Sequence, residues 1–371
     1  MTRLQNANSI APSANASVRM AAFVGLCFMV MLSFRAAEVA PAGELSDQQV
    51  LETLTREQPR DRAIRKALYF LSKQQRVGGE VGDRFPVALT SLALMAHLAA
   101  GVTFDDPERG LWLRKSLQYV LSQQNADGYF GQKDGSRMYG HGIAALMLAE
   151  SLGMIRDEEL EERARAALEK AVALTVKAAR RSKSPEQAGG WRYEPESGDS
   201  DLSLSGWQMM SLHAAQQVGI TVPPEVIAAA YEYARRNTAD DGRVGYQSRG
   251  QESGPSLRGL GMLAFSIGGH DNDPLVTTIG ERILREPARW QGEYLFYRLY
   301  YDAVGLSRAR PELWERYAPG LVELLVKAQQ EDGAWPAPPG DSEAGHGSVY
   351  MISMAVLALA VDRHVLPAYQ R

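Results

Sequence analysis

A chain of 371 residues, 45% hydrophobic and 23% charged, has apolar material for one large core or two ordinary ones. A net charge of -4, with no Lys/Arg run interleaved with aromatics, argues against a nucleic-acid partner. The single cysteine, Cys27, sits in an N-terminal apolar run, so the remainder has no disulfide and no thiolate metal ligand.

That run, Met20 to Phe34, is apolar except for Ser33, with Arg3 and Arg19 before it and Arg35 after it. Together with Ala40-Pro41-Ala42, it reads as a cleaved secretory signal or as an uncleaved membrane anchor over 1–42. A misassigned start codon is the third reading. The expectation is an exported protein, periplasmic or in the cell envelope, touching the membrane only through this segment. A polar linker follows over 43–58.

From residue 59 the pattern is helical and repeats. Ile64, Leu68 and Leu71 recur at helical spacing, the first helix stops at Gln74-Gln75, and a second runs from Pro86 to Leu98. The next unit carries Leu117 and Leu121, the turn Gln123-Gln124-Asn125-Ala126-Asp127-Gly128-Tyr129-Phe130, and a helix over His141 to Leu152. A third spans Glu158 to Gly219 around Gly189-Gly190-Trp191-Arg192-Tyr193, with its second helix opening after Asp199-Ser200-Asp201. The fourth has Asp240-Asp241-Gly242 and a helix over Leu257 to Ile267. The fifth has Trp290-Gln291-Gly292 and Tyr294 to Val304. The sixth has Gln329-Gln330-Glu331-Asp332-Gly333-Ala334-Trp335 and Ser348 to Val361. The basic stretch Lys177 to Lys183 reads as the charged end of a helix.

Glycine turns at this interval signal stacked helical hairpins. First helices are amphipathic, as in Glu161 to Lys177, whereas second helices such as Ile352 to Val361 are small and apolar nearly all round. A helix apolar on every side must be covered on every side. Six such helices ringed by six amphipathic ones satisfy this, so the expectation is all-α: an α/α toroid (α6/α6 barrel) of six hairpin repeats over 59–371.

The turns Gln-Gln-x-x-Asp-Gly-x-Phe and Gln-Gln-Glu-Asp-Gly-Ala-Trp resemble the prenyltransferase/squalene oxidase repeat, shared by squalene cyclases and the β subunits of protein prenyltransferases. Gly189-Gly190-Trp191-Arg192-Tyr193 followed by Asp199-x-Asp201 is similar to the segment bearing the acid motif of triterpene cyclases. The closing Tyr350 to Arg371 resembles the end of single-domain bacterial proteins of this repeat. The resemblance implies the toroid fold, and Asp201 with Asp199 as the candidate catalytic acid that protonates an alkene. Leu202 stands where the family has its last aspartate. The alternative is that Asp199 or Asp201 caps the helix beginning near Leu202. A prenyltransferase zinc site needs a cysteine that this region lacks, so neither metal nor cofactor is expected.

Candidate ligand-binding residues are Tyr139, His141, Trp207, Arg258, Tyr294, Tyr297, His346 and Tyr350, clustered near the starts of second helices. Aromatics there suit an isoprenoid chain or a carbocation; Trp191 and Trp335 read rather as packing between hairpins. His141 and His346 read as structural histidines or as ligands, and Arg258 and Arg298 as anion holders or as partners of inner acids. A glycosidase would instead need paired carboxylates, Asp199 or Asp201 with Glu252 or Glu343. The favoured expectation is a non-catalytic toroid that binds an isoprenoid, another hydrophobic ligand, or a protein partner. The alternative is a terpene cyclase-like or prenyltransferase-like enzyme.

Overall fold

The computed structural model describes residues 57–249, 254–363 and 365–366. The N-terminal segment 1–42, most of the linker, Glu252 and the closing residues 367–371 lie outside the described residues. The described part belongs to one compact unit, Glu57–Arg371.

Twelve α-helices make up this part, in six hairpins. They are α1 Pro59–Ser72, α2 Pro86–Ala99, α3 Gly110–Gln123, α4 Arg137–Ser151, α5 Glu158–Ala179 and α6 Leu202–Gln217. The second half comprises α7 Pro224–Asn237, α8 Arg258–Ile267, α9 Pro274–Arg285, α10 Leu295–Ala309, α11 Pro311–Ala328 and α12 Ser348–Ala360. Several expected bounds shift by a few residues; α4, for instance, starts at Arg137 rather than His141.

Even-numbered helices form the inner ring. In α2 every residue from Val87 to Ala99 is buried, and α12 is buried from Met351 to Ala360. Neighbouring inner helices pack in chain order, and α12 returns to α2, so the ring closes. Odd-numbered helices show the other pattern. In α5 the buried residues Leu160, Ala164, Ala167, Leu168, Ala171, Val172 and Thr175 make one stripe, and Asp157 caps the helix by accepting from Leu160 N–H. The described residues thus form an all-α toroid of six hairpins.

The repeated turns hold successive hairpins together. Gly79, Gly128 and Gly189 sit over the backbone of Lys115, Lys170 and Ala229 on the next outer helix, and Gly333 sits over Lys66 of α1. A Cβ at Gly333 would lie 2.3 Å from the Lys66 carbonyl oxygen, and its φ of +95° is itself left-handed. The glutamine four residues earlier adds a second tie. Gln75, Gln124 and Gln329 donate to the carbonyls of Trp112, Ala167 and Ala63, each at 2.8 Å. Each accepting carbonyl lies one helical turn before the residue under the glycine. Trp191 and Trp335 are buried, and each donates back to the first helix of its own hairpin, at Thr175 O and Leu325 O, so these bonds tie the turn within its hairpin instead of bridging to the next as expected.

Candidate functional site

A cavity of about 1060 Å³ opens where the inner helices begin. Its rim holds Phe85, Arg137 and Tyr294, the three described non-glycine residues with positive φ. Each stands at the head of an inner helix, so the strained backbone of the fold is concentrated at this mouth. Deeper in, Leu89, Leu92 and Ile143 supply an aliphatic wall and Trp207 an aromatic one. Trp207 stacks on Tyr300 with ring centroids 5.9 Å apart and meets Tyr301 edge-on at 5.6 Å. Tyr301 in turn lies 4.5 Å from Tyr297.

Six of the eight expected ligand-binding residues line this cavity: Tyr139, Trp207, Tyr294, Tyr297, His346 and Tyr350. Two do not. His141 is fully buried between α4 and α5, where Nδ1 accepts from Phe130 N–H at 3.4 Å. Its Nε2 lies 3.0 Å from Thr175 Oγ1 and 3.2 Å from Ala171 O. Burial lowers its pKa to about 4, so it is a neutral core histidine. Arg258 is buried and holds Glu286 at 2.5 Å, an exposed acid at the end of the outer helix α9 and not the inner acid that was the alternative for it. Arg298 does pair inward, with Asp302 at 3.2 Å, yet it reaches the cavity wall.

Asp201 is fully buried and is not a lining residue. One carboxylate oxygen accepts from Leu204 N–H at 2.7 Å, capping α6, and the other accepts from Arg192 Nη1 at 2.8 Å. Burial raises its pKa, while the cap and the arginine pull it down. Arg192 continues to Tyr246 OH at 3.0 Å, and Tyr246 OH meets Tyr193 OH at 3.2 Å. A chain of polar contacts therefore joins Asp201 to two tyrosines of the cavity wall. Asp199 is half-exposed and meets the other side of Arg192 at 3.3 Å.

Glu343 is likewise fully buried and accepts from Phe296 N–H at 2.8 Å and Tyr297 N–H at 3.0 Å, capping α10. Burial, helped by nearby Asp341, raises its pKa to about 7. The carboxylates of Asp201 and Glu343 are thus both engaged by helix starts, whereas a glycosidase pair must be free to act on its substrate. Among the described residues no His, Asp and Glu cluster is arranged to hold a metal ion, and no helix is long and apolar enough to cross a membrane.

The sequence reading missed Ser203, Tyr246, Phe85 and Arg137. Ser203 was legible: it stands four residues before Trp207, on the same helix face. Phe85 and Arg137 were not, because their left-handed backbones have no local sequence signal.

No protein-family model and no curated protein sequence matches the chain. Solved structures do. A variant of the type II terpene cyclase MstE from Scytonema, in complex with geranylgeranyl dihydroxybenzoate, aligns with a TM-score of 0.53 at 16% identity. That alignment covers 83% of this chain and 98% of the other. The apo form of MstE aligns with a TM-score of 0.52 at 16% identity, covering 83% and 99%. A protein from Actinoplanes aligns at 0.51 and 13% identity, covering 81% and 98%. The likeness is to the terpene-cyclase fold and does not reach the squalene-cyclase repeat family in particular. The chain has the α/α toroid fold found in terpene cyclases.

Proposed function

We propose that this protein binds an isoprenoid chain in the cavity at the head of its inner ring. The observation that carries the reading is the cavity itself. About 1060 Å³ of mostly aromatic and aliphatic space suits a long, flexible apolar molecule, and Arg137, Arg298 and His346 leave room for a polar end. MstE, whose fold this chain shares, holds a geranylgeranyl compound, which supports the same class of ligand here. The N-terminal apolar run supports export, so we place this binding outside the cytoplasm.

Binding without chemistry is the reading we favour. Alkene protonation needs a carboxylic acid presenting its proton to the ligand, and both oxygens of Asp201 are engaged. A cyclase-like enzyme is the second reading. It is favoured by the burial of Asp201, which raises its pKa, and by the contacts from Arg192 through Tyr246 to the wall.

The deciding experiment incubates the purified protein, and an Asp201→Asn variant, with a mixed isoprenoid pool and analyses the washed, solvent-extracted protein by mass spectrometry. Unchanged isoprenoid retained by both proteins supports the binding reading. Cyclised or transferred products made only by the unmodified protein would establish the enzyme. An empty extract from both would overturn isoprenoid binding and turn attention to a protein partner.

A further inference from the structure

Three hydroxyl groups from three different inner helices meet in the cavity wall. Tyr139 of α4 donates to Ser203 Oγ of α6 at 3.0 Å. Ser203 Oγ lies 2.9 Å from the hydroxyl of Tyr297 of α10, which also reaches the Ser203 carbonyl at 3.4 Å. All three residues line the cavity, among Leu92, Ile143 and Trp207. A polar cluster at such a wall is a cost to an all-hydrocarbon ligand, because the ligand would displace water from it and return nothing.

The proton count says what the cluster can recognise. With Tyr139 donating to Ser203, two arrangements remain. If Ser203 donates to Tyr297 and Tyr297 to the Ser203 carbonyl, every hydroxyl proton is spent and free lone pairs face the ligand. If Tyr297 donates to Ser203, the serine proton is free to donate. A ligand hydroxyl, donor and acceptor at once, satisfies either arrangement. An ether or ketone satisfies only the second. Burial, with the charge of Asp201 reaching both phenols, holds the two tyrosines neutral, so they meet the ligand as hydroxyls.

We propose that Tyr139, Ser203 and Tyr297 form a hydroxyl-anchoring subsite, so that the ligand of this toroid is an isoprenoid alcohol rather than an isoprenoid hydrocarbon. This rests on the isoprenoid-binding reading above and adds the group that orients the chain. The three hydroxyls supply direction, and the apolar wall supplies the bulk of the affinity.

The test titrates the full chain with geranylgeraniol and with the hydrocarbon of the same skeleton lacking the hydroxyl, following tryptophan fluorescence. The readout is the ratio of the two affinities, compared between the unmodified protein and a Tyr139→Phe/Tyr297→Phe double variant. A Ser203→Ala variant serves as a second route if the double variant fails to fold. The expected result is that either variant lowers the alcohol-to-hydrocarbon ratio about tenfold, the equivalent of one or two hydrogen bonds. A ratio unchanged in the variants, with both probes still bound, would overturn the hydroxyl anchor and leave isoprenoid binding standing. Failure of the unmodified protein to bind either probe would overturn both.

Discussion

Gly333 of the last hairpin lies directly over the backbone carbonyl of Lys66 in the first helix, so close that a Cβ there would stand 2.3 Å from that oxygen. The first and last hairpins meet at this contact, and it repeats the one that Gly79, Gly128 and Gly189 make with their own successors. Gly333→Ala should therefore cost more than its left-handed φ alone, about 3 kcal/mol against the 1 to 2 kcal/mol expected from backbone strain. Gly219→Ala is the control, since its φ is +83° but nothing lies within 4 Å of its Cβ position. Denaturant unfolding of the two variants separates the terms. Equal losses would mean that the ring does not depend on this contact.

Asp201→Asn keeps an oxygen for Leu204 N–H but takes away the charge that pairs with Arg192. Asp201→Ala removes both. The losses should rank Ala above Asn, with Asn near 2 kcal/mol and Ala near 4 kcal/mol. Chemical denaturation measures them. A fully stable Asp201→Asn protein would argue that this carboxylate is kept for chemistry and not for the fold.

Ile143 and Leu89 face the cavity from different inner helices. Leu89→Trp extends into that space, and it should weaken isoprenoid binding at least about tenfold while leaving the melting temperature within a few degrees. Fluorescence titration beside a melting curve checks both. Unchanged affinity would place the ligand elsewhere.

His141 has its pKa lowered from 6.5 to about 4 by burial. A group whose folded pKa is depressed contributes stability above its unfolded pKa, and this is lost as pH falls. The window runs from about 6.5 down to about 4. Within it, His141→Gln should lose stability less steeply than the unmodified protein, by up to about 1.4 kcal/mol per pH unit, one proton's worth. His97 and His213, also lowered to about 4, add to the same acid limb in both proteins. Parallel stability curves would mean that His141 is not neutral in the fold.

Composition and periodicity decided a good deal by themselves. Helices apolar on every face, such as α2 and α12, cannot stand at a surface, and six of them alternating with amphipathic partners leave little but a double ring. The Gln-x-x-x-Gly turns marked the hairpin junctions for the same local reason, since glutamine and glycine each have a fixed task against the next helix. Helix starts were legible too: Asp201 before Leu202 was readable as a cap, and it is one. What the pattern could not decide was which polar and aromatic groups face the lumen and which face a neighbouring helix. His141 and Tyr139 are two residues apart on α4, yet one is spent between helices and the other opens onto the cavity. Arg258 and Arg298 looked alike, and only one reaches the wall. The Tyr139–Ser203–Tyr297 cluster joins three helices far apart in the chain, so no local spacing could announce it. Local sequence sets each helix and its apolar face. The rotation of each helix within a closed ring is set by all its neighbours at once, and that rotation chooses the residues of the site.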